Sequence, residues 1–490
     1  MGHESHASRK GIFKQGLLGI SLFFVTVTGC MVGPNFQRPP ESAPAHWSGA
    51  LPPPSPQPAT VAEKDLACWW TVFEDQTLTS LIDRAVHSNL DLKVAEARIR
   101  QARAVRGVAA SGIGPTVDSA GSFRRSRFPE MNSSGTEGVI SNQYQAGFDA
   151  GWELDIFGGV RRGIEAAGAD LQAAVETRRD VLVTLTAEVA RDYIDLRAFQ
   201  QRIAIARKNL KAQEHSAGLT RQRFEAGFVS GLDVANAQAQ VATTAAQIPL
   251  LEASARQSIY SLSVLLGQEP GALIQELSPS SAIPAAPPSV PVGLPSDLLR
   301  RRADIRRAEA EIHAATARIG VATGDLFPRF TLSGSVGVQA SDLGSWFSWA
   351  NRFWSFGPSV GWLIFDTGRT RSNIELQKAF EEESLVVYRQ TVLTALQEVE
   401  NALVASEKEQ EHRQALSAAV SANRKAVDLA TRLYVEGQTD FLNVLQAQQS
   451  LYATEDALSQ STQTVSTNLV ALYKALGGGW EGEIQAEKLP

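Results

Sequence analysis

The chain has 490 residues, 43% of them hydrophobic, and a formal net charge of −6 that is small for its length. That balance leaves no basic footprint for nucleic acid. With two cysteines, three methionines and seven scattered histidines, no disulfide framework, metal site or cofactor is expected, and no glycine loop of the phosphate-cradling kind occurs.

The N-terminus reads as a targeting segment. Arg9, Lys10 and Lys14 precede eleven largely apolar residues, Leu17 to Val27, long enough for the core of a signal peptide and too short to cross a bilayer. The run leads into Val27-Thr28-Gly29-Cys30, an aliphatic residue, two small ones and a cysteine, which resembles a bacterial lipobox. Residues 1–29 are therefore expected to be a lipoprotein signal peptide and Cys30 the acylated mature terminus. Cys68 is left without a partner and lies beside Trp69, Trp70 and Phe73, which predicts a buried structural thiol. Residues 31–60 hold nine prolines, so the segment 30–74 should run extended over a surface instead of folding alone.

The rest of the chain repeats itself. Asp91-Leu-Lys-Val-Ala-Glu-Ala-Arg-Ile99 matches Asp304-Ile-Arg-Arg-Ala-Glu-Ala-Glu-Ile312 at an offset of 213, and Pro115 matches Pro328. The offset then settles to 210, pairing Gly151-Trp152 with Gly361-Trp362, Arg161 with Arg371, Gly227 with Gly437, and Leu232 to Gln238 with Leu442 to Gln448. A constant offset over that distance implies one domain-sized element built twice: residues 75–276 and 297–476, joined by a proline-rich linker at 277–296 and followed by a tail at 477–490.

Each half predicts helix, two strands and long helices. Arg369 to Glu436 is a run of 68 residues without glycine or proline, a helical path of about 100 Å at ~1.5 Å per residue. The unbroken run of the first half, Ala169 to Ala217, is shorter. Apolar residues recur at spacings of three and four, at Leu182, Leu185, Val189, Tyr193 and Leu196 and again at Leu385, Tyr388, Val392, Leu396, Val399 and Leu403, as in a coiled-coil seam. Gly227 and Gly437 then act as C-caps that reverse the chain, so each half presents a helical hairpin.

Period-two alternation predicts strands at Tyr144 to Ile156, Phe330 to Val338 and Trp354 to Ile364, with the weakest pattern at Thr116 to Arg127. Such segments with aromatics near their ends suit a transmembrane β-barrel. Four strands cannot close a barrel, and an open edge in lipid leaves backbone groups unsatisfied. Three protomers would supply twelve strands, enough for a water-filled lumen.

These residues resemble the TolC-like outer-membrane efflux channels in their lipoprotein branch. The most specific stretches are Cys30-Met-Val-Gly-Pro-Asn-Phe-Gln-Arg-Pro39, Trp69-Trp70 with Phe73, Gly151-Trp-Glu-Leu-Asp-Ile-Phe-Gly158 with Arg161, Phe224-Glu-Ala-Gly227 and Tyr434-Val-Glu-Gly437. The resemblance implies an α+β membrane protein, a homotrimer with a twelve-stranded outer-membrane barrel continued by a periplasmic α-helical coiled-coil barrel. It further implies the exit duct of a tripartite efflux pump, lipid-anchored in the outer membrane, with a periplasmic adaptor and an inner-membrane transporter of the RND type as partners. Docking to the adaptor would centre on Phe224, Gly227, Tyr434 and Gly437. Family members narrow near the tip through inward carboxylates after the second turn; here the matching positions are the amides Asn443 and Gln446, with Leu442 and Gln449 beside them. Asp233 and Asp440 are the nearby carboxylates that could restore the charge. A type I secretion channel and a coiled-coil lipoprotein without a channel are the alternatives. An enzyme is not expected: Gly357-Pro-Ser-Val-Gly361 fits G-x-S-x-G, but Ser359 sits within a strand pattern and only His412 follows it.

Intact mass of the mature protein checks the lipidation. The expected result is a chain beginning at Cys30 and carrying acyl chains; an unmodified terminus, or one elsewhere, contradicts it.

Overall fold

The computed structural model describes residues 31–40, 44, 47–48, 66–127, 140–287 and 295–480. Cys30 lies outside them. Both halves of the chain run through the same series of elements. In the first, α1 (Gln76–Ser88), α2 (Leu90–Ser111), β1 (Thr116–Arg127), β2 (Ile140–Leu154), α3 (Gly159–Glu225) and α4 (Gly231–Leu265) follow one another, with a short helix α5 (Ile274–Leu277) after them. In the second, α6 (Pro295–Arg301), α7 (Ala303–Gly324), β3 (Arg329–Ala340), β4 (Arg352–Gly361), α8 (Arg369–Val435) and α9 (Phe441–Ala475) do so. The helices match in length: α3 and α8 have 67 residues each and α4 and α9 have 35 each. The first long helix is thus longer than its glycine-free run, because Gly163, Gly168 and Gly218 sit within it, the first and last with open space where a Cβ would be. Isolated glycines cost a helix roughly 1 kcal/mol each, which dozens of propagated hydrogen bonds absorb. None of the described helices is long and apolar enough to cross a membrane.

The chain divides into two compact units. One comprises residues 1–39, 99–173 and 308–388 and contains a four-stranded antiparallel meander in the order β1-β2-β3-β4. Its register is unbroken, with Phe148 opposite Ser119 on one side and Val336 on the other, and Val336 opposite Trp354. Since successive side chains alternate between faces, this register collects Val117, Phe123, Tyr144, Phe148, Trp152, Phe330, Leu332, Val336, Trp354, Phe356 and Val360 on one face. The other face carries Asp118, Gln143, Gln145, Asp149, Glu153, Thr331, Ser333, Ser335, Ser355 and Ser359. Trp354 is 80% exposed and Phe356 71% exposed, so the apolar face is bare. The third strand pattern ends sooner than its alternation suggests, at Gly361. Trp362 beyond it turns its indole to donate to the Leu326 carbonyl at 3.1 Å, as Trp152 donates to Ile113 at 2.7 Å. Ile113 and Leu326 each stand two residues before the repeated prolines Pro115 and Pro328, so the duplicated Gly-Trp motif fastens the entry of one strand to the exit of its hairpin mate.

Residues 31–39, which carry no helix or strand and bend at Gly33 with φ of 87°, belong to this unit. Val32 N–H donates to Phe157, the buried Arg162 guanidinium donates to the Val32 carbonyl at 3.1 Å and to Asn35 at 2.7 Å, and Phe36 stacks on His313 with ring centroids 4.5 Å apart.

The second unit comprises residues 40–98, 174–307 and 389–490. Trp69, fully buried, stacks on Tyr473 at 5.3 Å and meets Trp70 and Phe73 edge-on. Cys68 is exposed, not buried as its neighbours suggested: it stands just before a single 3-10 turn, Trp69–Phe73, that turns Trp69, Trp70 and Phe73 inward. The first seam is buried throughout, from Leu182 to Leu196. Of the α8 seam, this unit holds Val392 and Val399, both buried, and Leu396 and Leu403, both half-buried; Leu385, half-buried, and Tyr388, buried, belong to the first unit.

Gly227 and Gly437 end α3 and α8 with φ of 81° and 75°. Around each, the two bonds of a Schellman motif form: Phe228 N–H to Arg223 and Gly227 N–H to Phe224, then Gln438 N–H to Leu433 and Gly437 N–H to Tyr434. A Cβ at Gly227 would meet nothing within 4 Å, so a side chain there costs backbone strain alone, about 1–2 kcal/mol. Thermal melting of Gly227 variants is expected to rank the natural protein first, then Asn, then Ala, then Val; equal midpoints for Gly and Val would contradict the left-handed cap.

Candidate functional site

The sequence places its candidate docking and aperture residues around the two helical turns, and both turns belong to the second unit. After Gly227, the chain restarts on a capping box: Ser230 Oγ accepts from Asp233 N–H at 3.3 Å while Asp233 Oδ2 accepts from Ser230 N–H at 3.1 Å. After Gly437, the equivalent N-cap is Asp440, whose side chain makes no cap bond, and the residue equivalent to Asp233 is Asn443. The Asn443 amide donates back to Thr439 at 2.6 Å. Asp233 is thus engaged in holding its own turn.

The two turns share a small core of Ala237, Tyr434, Phe441, Val444 and Leu445, with Ala217, Leu219, Val229 and Ala430 around it. Phe224 and Tyr434 are equivalent in the repeat but differ in setting. Phe224 is 47% exposed, whereas Tyr434 is buried, its ring against Phe441 and its hydroxyl donating to Thr220 at 3.4 Å. Arg223, one residue before Phe224, reaches from the first hairpin to the second: its guanidinium donates to the Tyr434 carbonyl and lies 4.6 Å from the centre of the Tyr434 ring. A cation over an aromatic face with a hydrogen bond beside it makes a two-point clasp. The apolar surface of the tips therefore belongs to Phe224 with Phe228, Leu232 and Val435, all exposed, and Tyr434 supports it from inside.

Leu442, Asn443, Gln446 and Gln449 all lie on the exposed side of α9, at the spacings of three and four that put residues on one helix face. From that level upward, α9 is tied to the other helices by a ladder of polar contacts. Gln448 donates to Ser216 at 2.8 Å, Gln449 to Gln240 at 2.7 Å, and the Tyr452 hydroxyl to Gln247 at 2.6 Å. Next comes Glu455, buried, which receives Arg424 from α8 at 2.7 Å and Asn209 from α3 at 3.1 Å, with Lys208 at 3.6 Å. Burial works against ionisation of Glu455, but the Arg424 and Asn209 hydrogen bonds, with the charges of Lys208 and Arg424, outweigh it and hold the carboxyl below the usual range. Glu455 is an anion at neutral pH. Asp456 completes the ladder with a two-pronged pair to Arg202 at 2.6 and 3.0 Å.

The residues that knit this region, Arg223, Glu455, Arg202 and Asn209, carry no motif in the sequence. Only the polar positions in otherwise helical seams could have pointed to them. Ser359 of the G-x-S-x-G match lies within β4, two residues before its end, its hydroxyl 3.4 Å from the Thr331 carbonyl, with no strand-to-helix elbow.

A family model described as "Outer membrane efflux protein" matches the chain over residues 81–268 and again over 294–478. Nodulation protein T of Rhizobium leguminosarum bv. trifolii is 33% identical over 467 residues, covering 94% of this chain and 96% of that protein. A probable efflux pump outer membrane protein, TtgC of Pseudomonas putida, is 34% identical over 468 residues, covering 95% and 96%. Among solved structures, the outer-membrane channel OprN superposes with a TM-score of 0.86 at 39% identity, covering 92% of this chain and all of that one. With the family model matched across both halves, and with these relatives aligned from near one end to the other, the chain belongs to the outer membrane efflux protein family.

Proposed function

We propose that three copies of this chain form a twelve-stranded barrel in the outer membrane and serve as the passive exit duct of a tripartite efflux pump. The observation that carries the reading is the four-stranded sheet with one bare apolar face and two unpaired edges, β1 and β4, on a chain of the efflux family. In hydrocarbon each unsatisfied backbone group costs several kcal/mol, and joining β4 of one copy to β1 of the next removes both edges. Helix α8 supports the same assembly. It exposes Leu376, Phe380 and Val387 at spacings of four and seven, and Val386, Leu393 and Val404 at seven and eleven, which are apolar stripes suited to a neighbouring copy.

The polar face of the sheet would then line the lumen, Cys30 would carry the lipid anchor, and the helical hairpins would lie in the periplasm. Small molecules would be delivered by an inner-membrane transporter of the RND type through a periplasmic adaptor. The adaptor would dock on Phe224, Phe228, Leu232 and Val435 around Gly227 and Gly437, with Tyr434 beneath. Mass measurement in detergent tests the assembly: the expected species is a trimer, and a stable membrane-inserted monomer would refute it.

Threefold symmetry would turn Leu442, Asn443, Gln446 and Gln449 into rings. Carboxylates about 4 Å apart repel by ~4 kcal/mol at an effective dielectric of ~20 and concentrate cations; amides keep the hydrogen bonds without that field. The Gln449–Gln240 contact and the commitment of Asp233 to its cap support an aperture closed by amides and by Leu442, with little cation selectivity. Planar-bilayer recordings with a multivalent cation on the periplasmic side should find no tight block of the natural channel and block after Gln446→Asp. Tight block of the natural channel would overturn the amide reading.

A further inference from the structure

The apolar face of the sheet is free of charge except at one end. Tracing the register from Val117 through Phe148, Val336 and Trp354, only three charged side chains among the described residues share that face: Arg125 and Arg127 on β1 and Arg352 on β4. All three are exposed, and no carboxylate among the described residues forms an ion pair with them. They sit at the hairpin end of the sheet, away from the strand ends that lead into α3 and α8. A band of aromatic residues adjoins them on the same face: Phe123 against Tyr144 with centroids 4.7 Å apart, and Trp354 two residues from Arg352. The Arg352 guanidinium itself lies 4.1 Å from the centre of the Trp349 ring.

A guanidinium on a face otherwise built for hydrocarbon has a large desolvation cost unless an anion meets it. Aromatics followed by cations mark the level where hydrocarbon gives way to headgroups. We propose that Arg125, Arg127 and Arg352 form a binding site for the phosphate groups of an outer-leaflet lipid, a phosphorylated glycolipid whose acyl chains lie along Val336, Phe356 and their neighbours. The inference rests on the proposed barrel, in which the apolar face meets lipid and the hairpin end faces outward. Because β1 and β4 are the two edges, closure brings the arginines of one copy's β1 beside Arg352 of the next, giving three sites per trimer, each made by two chains. Arginine suits this task because its planar fork takes two phosphate oxygens at once.

The test uses the full-length protein in detergent, with native mass spectrometry reading trimer and bound lipid together. The probes are diphosphoryl lipid A, the same lipid with both phosphates removed, and inorganic phosphate. The expected result is a trimer that retains up to three diphosphoryl lipids, with retention at least tenfold weaker for the dephosphorylated lipid and for Arg125→Gln/Arg127→Gln/Arg352→Gln. If that triple variant fails to assemble, Arg352→Gln and Arg125→Gln are read separately, each expected to weaken retention severalfold, with Arg352→Lys recovering part of it. Equal retention of the two lipids, or retention unchanged in assembled variants, overturns the site. Inorganic phosphate displacing the lipid completely at equal concentration overturns the lipid as its ligand. A chain that forms no trimer refutes the barrel reading, an outcome distinct from a trimer that ignores phosphate.

Discussion

Backbone amides and carbonyls demand partners, and hydrocarbon supplies none. In the proposed barrel that demand falls on β1 and β4, since β2 and β3 are paired on both sides. One face carries aromatic and aliphatic residues, most of them exposed, while the reverse face carries serine, threonine, glutamine and acids. Under the proposed function, a sheet with those two properties is incomplete as a single copy. The proposed trimer follows from that incompleteness, and so do the half-open seam of α8 and the placement of cations at one border of the apolar face.

Much of this was legible in the sequence because two periodicities are strong. Alternation revealed β2, β3 and β4, and spacings of three and four revealed the long helices. β1 has the weakest pattern, since Ser119 and Gly121 occupy positions on its apolar face, yet it spans the expected Thr116 to Arg127 and pairs with β2 over twelve residues. β4 ends before its alternation does because Trp362 continues the pattern chemically while serving as an anchor to Leu326. Cys68 misled for a related reason: neighbours in sequence diverge in space within one tight turn.

The tip region was legible in its turns and illegible in its fastenings. Two glycines at equivalent positions predict two reversals, and local backbone geometry suffices for that. The Arg223 clasp on Tyr434, the Glu455 cluster and the Arg202–Asp456 pair join residues more than 30 positions apart, most of them more than 200. Helical seams in a sequence report which side of a helix is apolar, not which helix lies opposite. The equivalence of Phe224 and Tyr434 is likewise silent about which ring turns inward, and Arg223, which clasps the buried Tyr434, has Leu433 as its counterpart.

The matched lengths of the helices, 67 with 67 and 35 with 35, constrain how such a chain can change. The contacts of Arg202 with Asp456, Asn209 with Glu455, Gln240 with Gln449 and Arg223 with Tyr434 all run between one hairpin and the other. Inserting a single residue into one long helix would slide its partners past one another by about 1.5 Å and rotate them by about 100°, parting every such contact beyond the insertion at once. Change in length can therefore enter only as paired events, equal in both halves and in whole turns of the seam. The two hairpins behave as one ruler marked twice.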